Sequence, residues 1–238
     1  MGKKDSQAPE FYRTFKAIVE SRRSYKQSFS SEPVEPGTIE NCIDVARWAP
    51  SAHNEQPWRF IVFYQQDESQ QAIRAKMLDA MGERYKTDLI ADGAIPAAGA
   101  GRASNAQLRH APVLILAILD VSVMDAYPDK PRQEAELVMA QQSIAACVQT
   151  LLLALHAAGL KACWLCAPLF AESTIQNVLN LPETLIPQAF IAVGHDSGVK
   201  GTSTSRHDGR MNSSTRRPAS EIILSPVDFL DQKGDDLA

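Results

Sequence analysis

The sequence lacks the spellings that announce most enzyme classes. It contains no G-x-S-x-G, no H-E-x-x-H and no P-loop, so a nucleophile elbow, a zinc protease helix and a P-loop nucleotide site are not indicated. Its five histidines, His53, His110, His156, His195 and His207, share no ligand-like spacing. Cysteine is scarce, with only Cys42, Cys147, Cys163 and Cys166. Cys163-Trp164-Leu165-Cys166 spells CxxC, but a zinc site needs a second pair of ligands. A thioredoxin-type pair sits at a helix N-terminus, whereas this one lies inside an apolar, strand-like run. Buried structural thiols, suited to a reducing cytoplasm, are expected instead. Gly99-Ala100-Gly101 begins a dinucleotide spelling, but no third glycine follows and no strand precedes it. Positive charge is not in excess: the formal net charge is −4. Nucleic acid is therefore not an expected partner, and any phosphate site must be a local cluster of arginines. No apolar stretch follows Met1-Gly2-Lys3-Lys4-Asp5-Ser6, so no secretory signal is expected, and the match to N-myristoylation is loose. No internal repeat is visible.

What is present suits one soluble domain. The 238 residues are 45% apolar and 22% charged, enough to bury a full core. A single domain over 1–238 is expected, with flexible ends at 1–8 and 231–238 and a long exposed loop over 196–215. Phe11, Phe15, Ile18 and Val19 define an amphipathic helix ending near Arg22-Arg23-Ser24. Pro36 suits the first turn of a second helix, on which Ile39, Cys42, Ile43 and Ala46 recur with helical spacing. Phe60 to Tyr64 reads as a strand. Asp67 to Met81 reads as a helix with Ile73, Met77 and Met81 on one face. Ile90 to Gly101, rich in Ala and Gly, reads as a mobile connection or lid. Pro112 to Leu119 is the strongest strand, and its continuous apolarity implies cover on both faces. Met124 to Asp129 is loop chemistry. Ala162 to Cys166 and Ala189 to Gly194 read as further strands, with a short helix carrying Ile175, Val178 and Leu179 between them. Ile222-Ile223-Leu224 reads as a last short strand.

From Leu137 to Leu160 no residue is formally charged, a length that could cross a bilayer. Gln141, Gln142, Ser143, Gln149, Thr150 and His156 inside it make that costly. A helix apolar on most faces belongs at the centre of a core or of a subunit interface. Gly159 closes it.

The least ordinary stretch is Trp48-Ala49-Pro50-Ser51-Ala52-His53-Asn54-Glu55-Gln56-Pro57-Trp58-Arg59-Phe60. Pro50 ends the helix before it. Ser51, His53, Asn54 and Gln56 then offer donors and acceptors in a short span. Plain turn chemistry explains such a loop as readily as a binding role does. Likewise, Arg22-Arg23 can be a solvated helix end, favoured by the dipole.

Together, Ser21-Arg22-Arg23-Ser24 and the run from Ala49 to Phe60 resemble the nitroreductase family of flavin enzymes. The resemblance extends over most of the chain. It implies an α+β fold: a mixed sheet flanked by helices, in an intertwined homodimer with a long central interface helix. It implies FMN at the interface, with NADH or NADPH as electron donor. On this resemblance Arg22, Arg23 and Ser24 match the phosphate and ribityl end, and Pro50, Ser51 and Asn54 match a loop reaching the flavin of the other subunit. Pro168 and Leu169 match a segment beside the ring, where a backbone N–H near Leu169 would face the flavin. Gly194 matches a glycine ending a strand, and Arg216 or Arg217 a late basic residue at the phosphate. Gln141 and Ser143 would approach the ring from the long helix. No general base and no metal are implied.

One subgroup is closer. Tyr127-Pro128-Asp129, Gln141-Gln142-Ser143 and the run from Gly159 to Phe170 resemble the flavin domain fused to γ-glutamyl ligases of deazaflavin coenzyme synthesis. This chain has no ligase domain, and Lys161 stands where that subgroup usually has glycine. The expected function is therefore a cytoplasmic, FMN-dependent NAD(P)H oxidoreductase that reduces a small, planar, electron-poor molecule. The alternatives are reduction of a dehydro precursor of a deazaflavin coenzyme, and a flavin or deazaflavin binding protein without turnover. The expected partners are a second copy and a small-molecule substrate, with no nucleic acid and no membrane.

Overall fold

Val113–Asp120 (β2) is buried at every position, because neighbours cover its edges and its faces. In the computed structural model, which describes residues 8–26, 28–94, 106–198 and 216–223, β2 pairs antiparallel with Trp58–Tyr64 (β1) and Leu185–Gly194 (β4). Lys161–Leu165 (β3) pairs antiparallel with β4, giving the order β1-β2-β4-β3. A parallel bridge from Ser24 to Ala162 on β3 supplies the mixed character. Side chains alternate across the sheet. Val113, Ile115, Ala117 and Leu119 face one core with Ile191 and Val193, while Leu114, Leu116 and Ile118 face another with Phe190 and Ala192. The β2–β4 register shifts between Ala117 and Ile118. Pro187 sits opposite and has no N–H for the ladder.

The first core is covered by Pro36–Ala46 (α2) and Lys130–Ala157 (α5). Asp129 caps α5 by accepting from the Arg132 N–H at 3.0 Å. Ala140, Ile144, Cys147, Val148, Leu151 and Leu155 form its buried stripe, while Gln142 and Gln149 are exposed. By length and composition α5 could cross a membrane, but here that apolar stripe covers the sheet. Gly159, at φ 82°, lets the chain turn from α5 into β3. The second core is covered by Glu68–Ala91 (α3), Ala106–His110 (α4) and Glu172–Leu179 (α6). Glu10–Ser21 (α1) has no buried residue, and Phe11 is 91% exposed.

The structure departs from the sequence reading in three places. Helix α3 runs on past Met81 to Ala91. Beyond Gly82 the apolar period fades, but Lys86–Glu83 at 2.6 Å and Arg84–Asp88 at 2.8 Å support the helix. Its buried face carries Arg74 rather than Ile73, because the Arg74 guanidinium donates to the Leu108 and Ala111 carbonyls at the end of α4. Where a last strand was expected, Pro218 opens a single helical turn, Ala219–Ile222 (α7). Leu224, most of 196–215, the second half of the 90–101 connection and the ends at 1–7 and 231–238 lie outside the described residues. The chain divides into two compact units, Met1–Gly201 and Thr202–Ala238. The sheet and its helical layers belong to the first; in the second, residues 216–223 are described.

Candidate functional site

Three groups of side chains converge on α5. The first begins where α1 ends. Arg23 bends back and donates from Nη1 to the Arg22 carbonyl at 2.8 Å. Ser24 bridges to Ala162, and the Tyr25 N–H donates to the Ala162 carbonyl at 2.9 Å. That stitch holds the Arg22-Arg23-Ser24 segment beside the start of β3. Ser21 Oγ lies 2.8 Å from His156 Nε2, on the last turn of α5. Arg22, Arg23, His156 and Lys161 thereby line one cleft with Leu152, Leu160 and Ala162. Lys161 pairs with Asp196 at 3.7 Å. Burial, then Lys161, Arg22 and Arg23, hold the His156 imidazole below its ordinary pKa. The cleft's 10 Å³ volume has room for about one water, so an anion would rest at its mouth.

The second group lies further along the same helix. Gln141, Ile144, Ala145, Val148, Trp164, Cys166, Leu169 and Gln188 line a shallow groove of 80 Å³. Trp164 Nε1 is buried there without an acceptor among the described residues. Pro168 is buried and Leu169 exposed on a 3-10 turn, Ala167–Phe170. The Leu169 N–H donates to the Cys166 carbonyl at 3.1 Å, so the backbone donor expected to face a ring is engaged within its own turn. Gln141, Ala145, Val148, Leu152 and His156 follow helical spacing, so both groups lie along one flank of α5.

The third group is the loop after α2. Ser51 Oγ accepts from the Gln56 N–H at 3.1 Å. The Ala52 N–H donates to Ser143 Oγ at 3.1 Å, and Ser143 donates to the Met139 carbonyl at 2.8 Å. His53, Asn54 and Gln56 all have positive φ, at 52°, 59° and 51°. Such backbone is costly away from glycine and concentrates at functional loops. Pro50 and Asn54 are exposed. Burial first, then Glu136 and Asp125, raise the Glu55 carboxyl above its ordinary pKa. Glu136 is 0% exposed, and neither of its oxygens has a partner among the described residues. Ser143 and Gln141 are separated by about 200° of helical rotation. The loop therefore sits on the opposite flank of α5 from the groove and the cationic cleft.

The remaining expected residues are placed differently. A Cβ on Gly194 would come within 2.7 Å of Pro112 Cδ and 2.9 Å of Phe29 Cδ1, so this glycine permits close packing. Arg216 and Arg217 are exposed in the second unit. Of the cysteines, Cys42, Cys147 and Cys163 are buried, and burial pushes Cys147 up to about 12. Cys166 is exposed, contrary to the expectation of a buried thiol, because it follows the last residue of β3 and starts the 3-10 turn. His156, Lys161, Trp164, Cys166 and Gln188 were missed as site residues. The signals were available: Gln141 and His156 share a helical period, and Ala162, Trp164 and Cys166 alternate along one strand face.

The model of the nitroreductase family matches residues 19–195. A Methanothermobacter thermautotrophicus protein named as an NADH dehydrogenase/NAD(P)H nitroreductase is 26% identical over 186 residues, 77% of this chain and 78% of that protein. Among solved structures, a nitroreductase of Desulfovibrio desulfuricans in complex with FMN is 26% identical, with a TM-score of 0.60 over 89% of this chain and 95% of that one. A nitroreductase-like protein of Bacillus cereus shares the fold at 15% identity, with a TM-score of 0.63 over 92% of this chain and 98% of that one.

Proposed function

Because the chain belongs to the nitroreductase family, we propose that it is an FMN-dependent oxidoreductase that uses NADH or NADPH to reduce a small, planar, electron-poor organic acceptor. The observation that carries this reading is the single flank of α5. It presents cations at one end, from Arg22, Arg23 and Lys161, and an apolar groove with an unanswered indole N–H at the other. That donor set fits FMN: guanidinium groups suit a phosphate monoester, and the Trp164 N–H suits a ring carbonyl. The chemistry that FMN supplies when bound is hydride transfer between a nicotinamide and an acceptor.

The chain's own residues would bind, orient and shield. Arg22 and Ser24 would hold the phosphate end. Gln141, Trp164 and Leu169 would set the plane of the ring and keep water from it. The 80 Å³ groove of one chain is smaller than a tricyclic ring, and the Pro50–Asn54 loop lies across the helix. Both facts support a site completed by a second copy, whose Ser51 and Asn54 would close it.

FMN titrated into apoprotein tests the reading, followed by NAD(P)H oxidation with an added acceptor. The expected results are a yellow holoprotein and steady oxidation. For Arg22→Ala, loss of a charge-assisted contact worth about 1.5–3 kcal/mol should weaken FMN roughly ten- to hundredfold. A protein that gains no flavin absorbance would overturn the proposal, and one that binds FMN without turnover would leave a flavin-binding protein. Metabolites retained from cell extract would identify the acceptor, a deazaflavin precursor included.

A further inference from the structure

The cleft gathers four basic side chains from three elements. Arg22 and Arg23 reach it from the end of α1, Lys161 from the start of β3 and His156 from the last turn of α5. Asp196 offsets part of this charge, 3.7 Å from Lys161 and shared with the Tyr25 hydroxyl at 3.1 Å. His156 is the one member whose charge can change near neutral pH. Its Nε2 lies 2.8 Å from Ser21 Oγ, a contact that serves a neutral ring as acceptor or a charged ring as donor.

Two influences compete at this ring. The C-terminus of α5 favours an imidazolium. Burial and the three neighbouring cations oppose it, and they prevail. A dianion at the mouth of the cleft would reverse the balance, since it answers the cations and attracts a proton to the ring.

We propose that His156 is a conditional fourth cation of the phosphate cleft, neutral while the cleft is empty and protonated when a phosphate-bearing ligand occupies it. This rests on the reading of the cleft as the phosphate end of an FMN site. Its consequence is linkage. The ring's pKa is lower in the empty protein than in the complex, so binding takes up a proton between the two values. Affinity gained this way is present at low pH and lost as pH rises through the pKa of the complex, by up to about tenfold per pH unit. The phosphate's own second ionisation, near about pH 6, has the opposite sign. It is common to every variant, so a difference between variants isolates His156.

The test is calorimetric titration of FMN into apoprotein, in buffers of different ionisation heat, for the native chain and for His156→Gln. Glutamine keeps a hydrogen bond for Ser21 and cannot take a proton. The native protein is expected to take up a larger fraction of a proton per FMN than His156→Gln, and to show the steeper gain in affinity as pH falls. The imidazole C2–H resonance of His156 in the native protein, followed with and without FMN, gives the same answer if the variant folds poorly: its midpoint should rise on binding. Equal proton uptake in both proteins, or an unmoved midpoint, overturns the role of His156 while leaving the cofactor reading intact. Riboflavin binding as tightly as FMN would instead remove the phosphate from this cleft, and the proposal with it.

Discussion

At the scale of single residues, the molecule carries two features that sequence inspection could not weigh. Gly194 matched a family position and so read as a binding residue, yet its surroundings show a packing constraint. Pro112 is a rigid ring, and a methyl at 194 would meet two of its carbons at 2.7 and 2.9 Å. Gly194→Ala should cost roughly 1–3 kcal/mol through overpacking, read as a lower urea midpoint with an unchanged slope. An unchanged midpoint would show that the Pro112 loop yields freely. Glu136 is the second feature. It precedes the uncharged run and was passed over, because neither charge nor period told that its turn of α5 would be enclosed. A buried carboxyl group left unsatisfied costs about 1–3 kcal/mol even when neutral. Glu136→Met conserves volume and removes the polar atoms, so it should raise stability by a similar amount. A less stable variant would reveal a partner for Glu136 in the working assembly.

At the scale of elements, the sheet was legible because its signal is local. The first seven residues of β2, Val113 to Leu119, are apolar without interruption, and Gly159 marked the turn into β3. The length of α3 was not legible, since its last turns rest on ion pairs rather than an apolar stripe, and Arg74 took the buried place expected of Ile73. The loop after α2 was legible as unusual but not in its wiring. Its seat is one hydrogen bond, from the Ala52 N–H to Ser143 Oγ, 91 residues further along the chain. Ser143→Ala should remove this anchor from a loop already strained at His53, Asn54 and Gln56. A loss of about 1 kcal/mol is expected. The proposed role of the loop adds a second effect: FMN should bind more weakly, although Ser143 lies on the far flank of α5 from the groove. Hydrogen exchange at Ala52, with a parallel FMN titration, separates the two. Fast exchange with undiminished affinity would mean that the loop's seating does not matter to the site.

At the scale of the molecule, the apolar surface is larger than one chain can use. Phe11, Phe15, Trp48, Val138 and Phe170 are all exposed. Helix α1 has no buried residue, and Gln142, Ala146, Gln149 and Leu153 lie on the face of α5 away from its buried stripe. Surface of this kind marks an interface, and a two-fold pairing is the commonest closed solution. Such pairing would also resolve the division across α5, because a loop on one flank can serve a groove on the other flank of a second copy. Dimerisation and cofactor binding should then fail together. Ala146, half-buried on the outer face, is the place to test this. Ala146→Arg leaves the inner stripe of Ile144, Cys147 and Val148 untouched but puts an unpaired charge into the expected contact, a change that is strongly destabilising when buried. Sedimentation monitored at a flavin wavelength should show the native protein as a yellow dimer, and Ala146→Arg as a smaller species stripped of flavin. A folded, yellow monomer would mean that one chain builds the whole site, and the Pro50–Asn54 loop would then have no part in it.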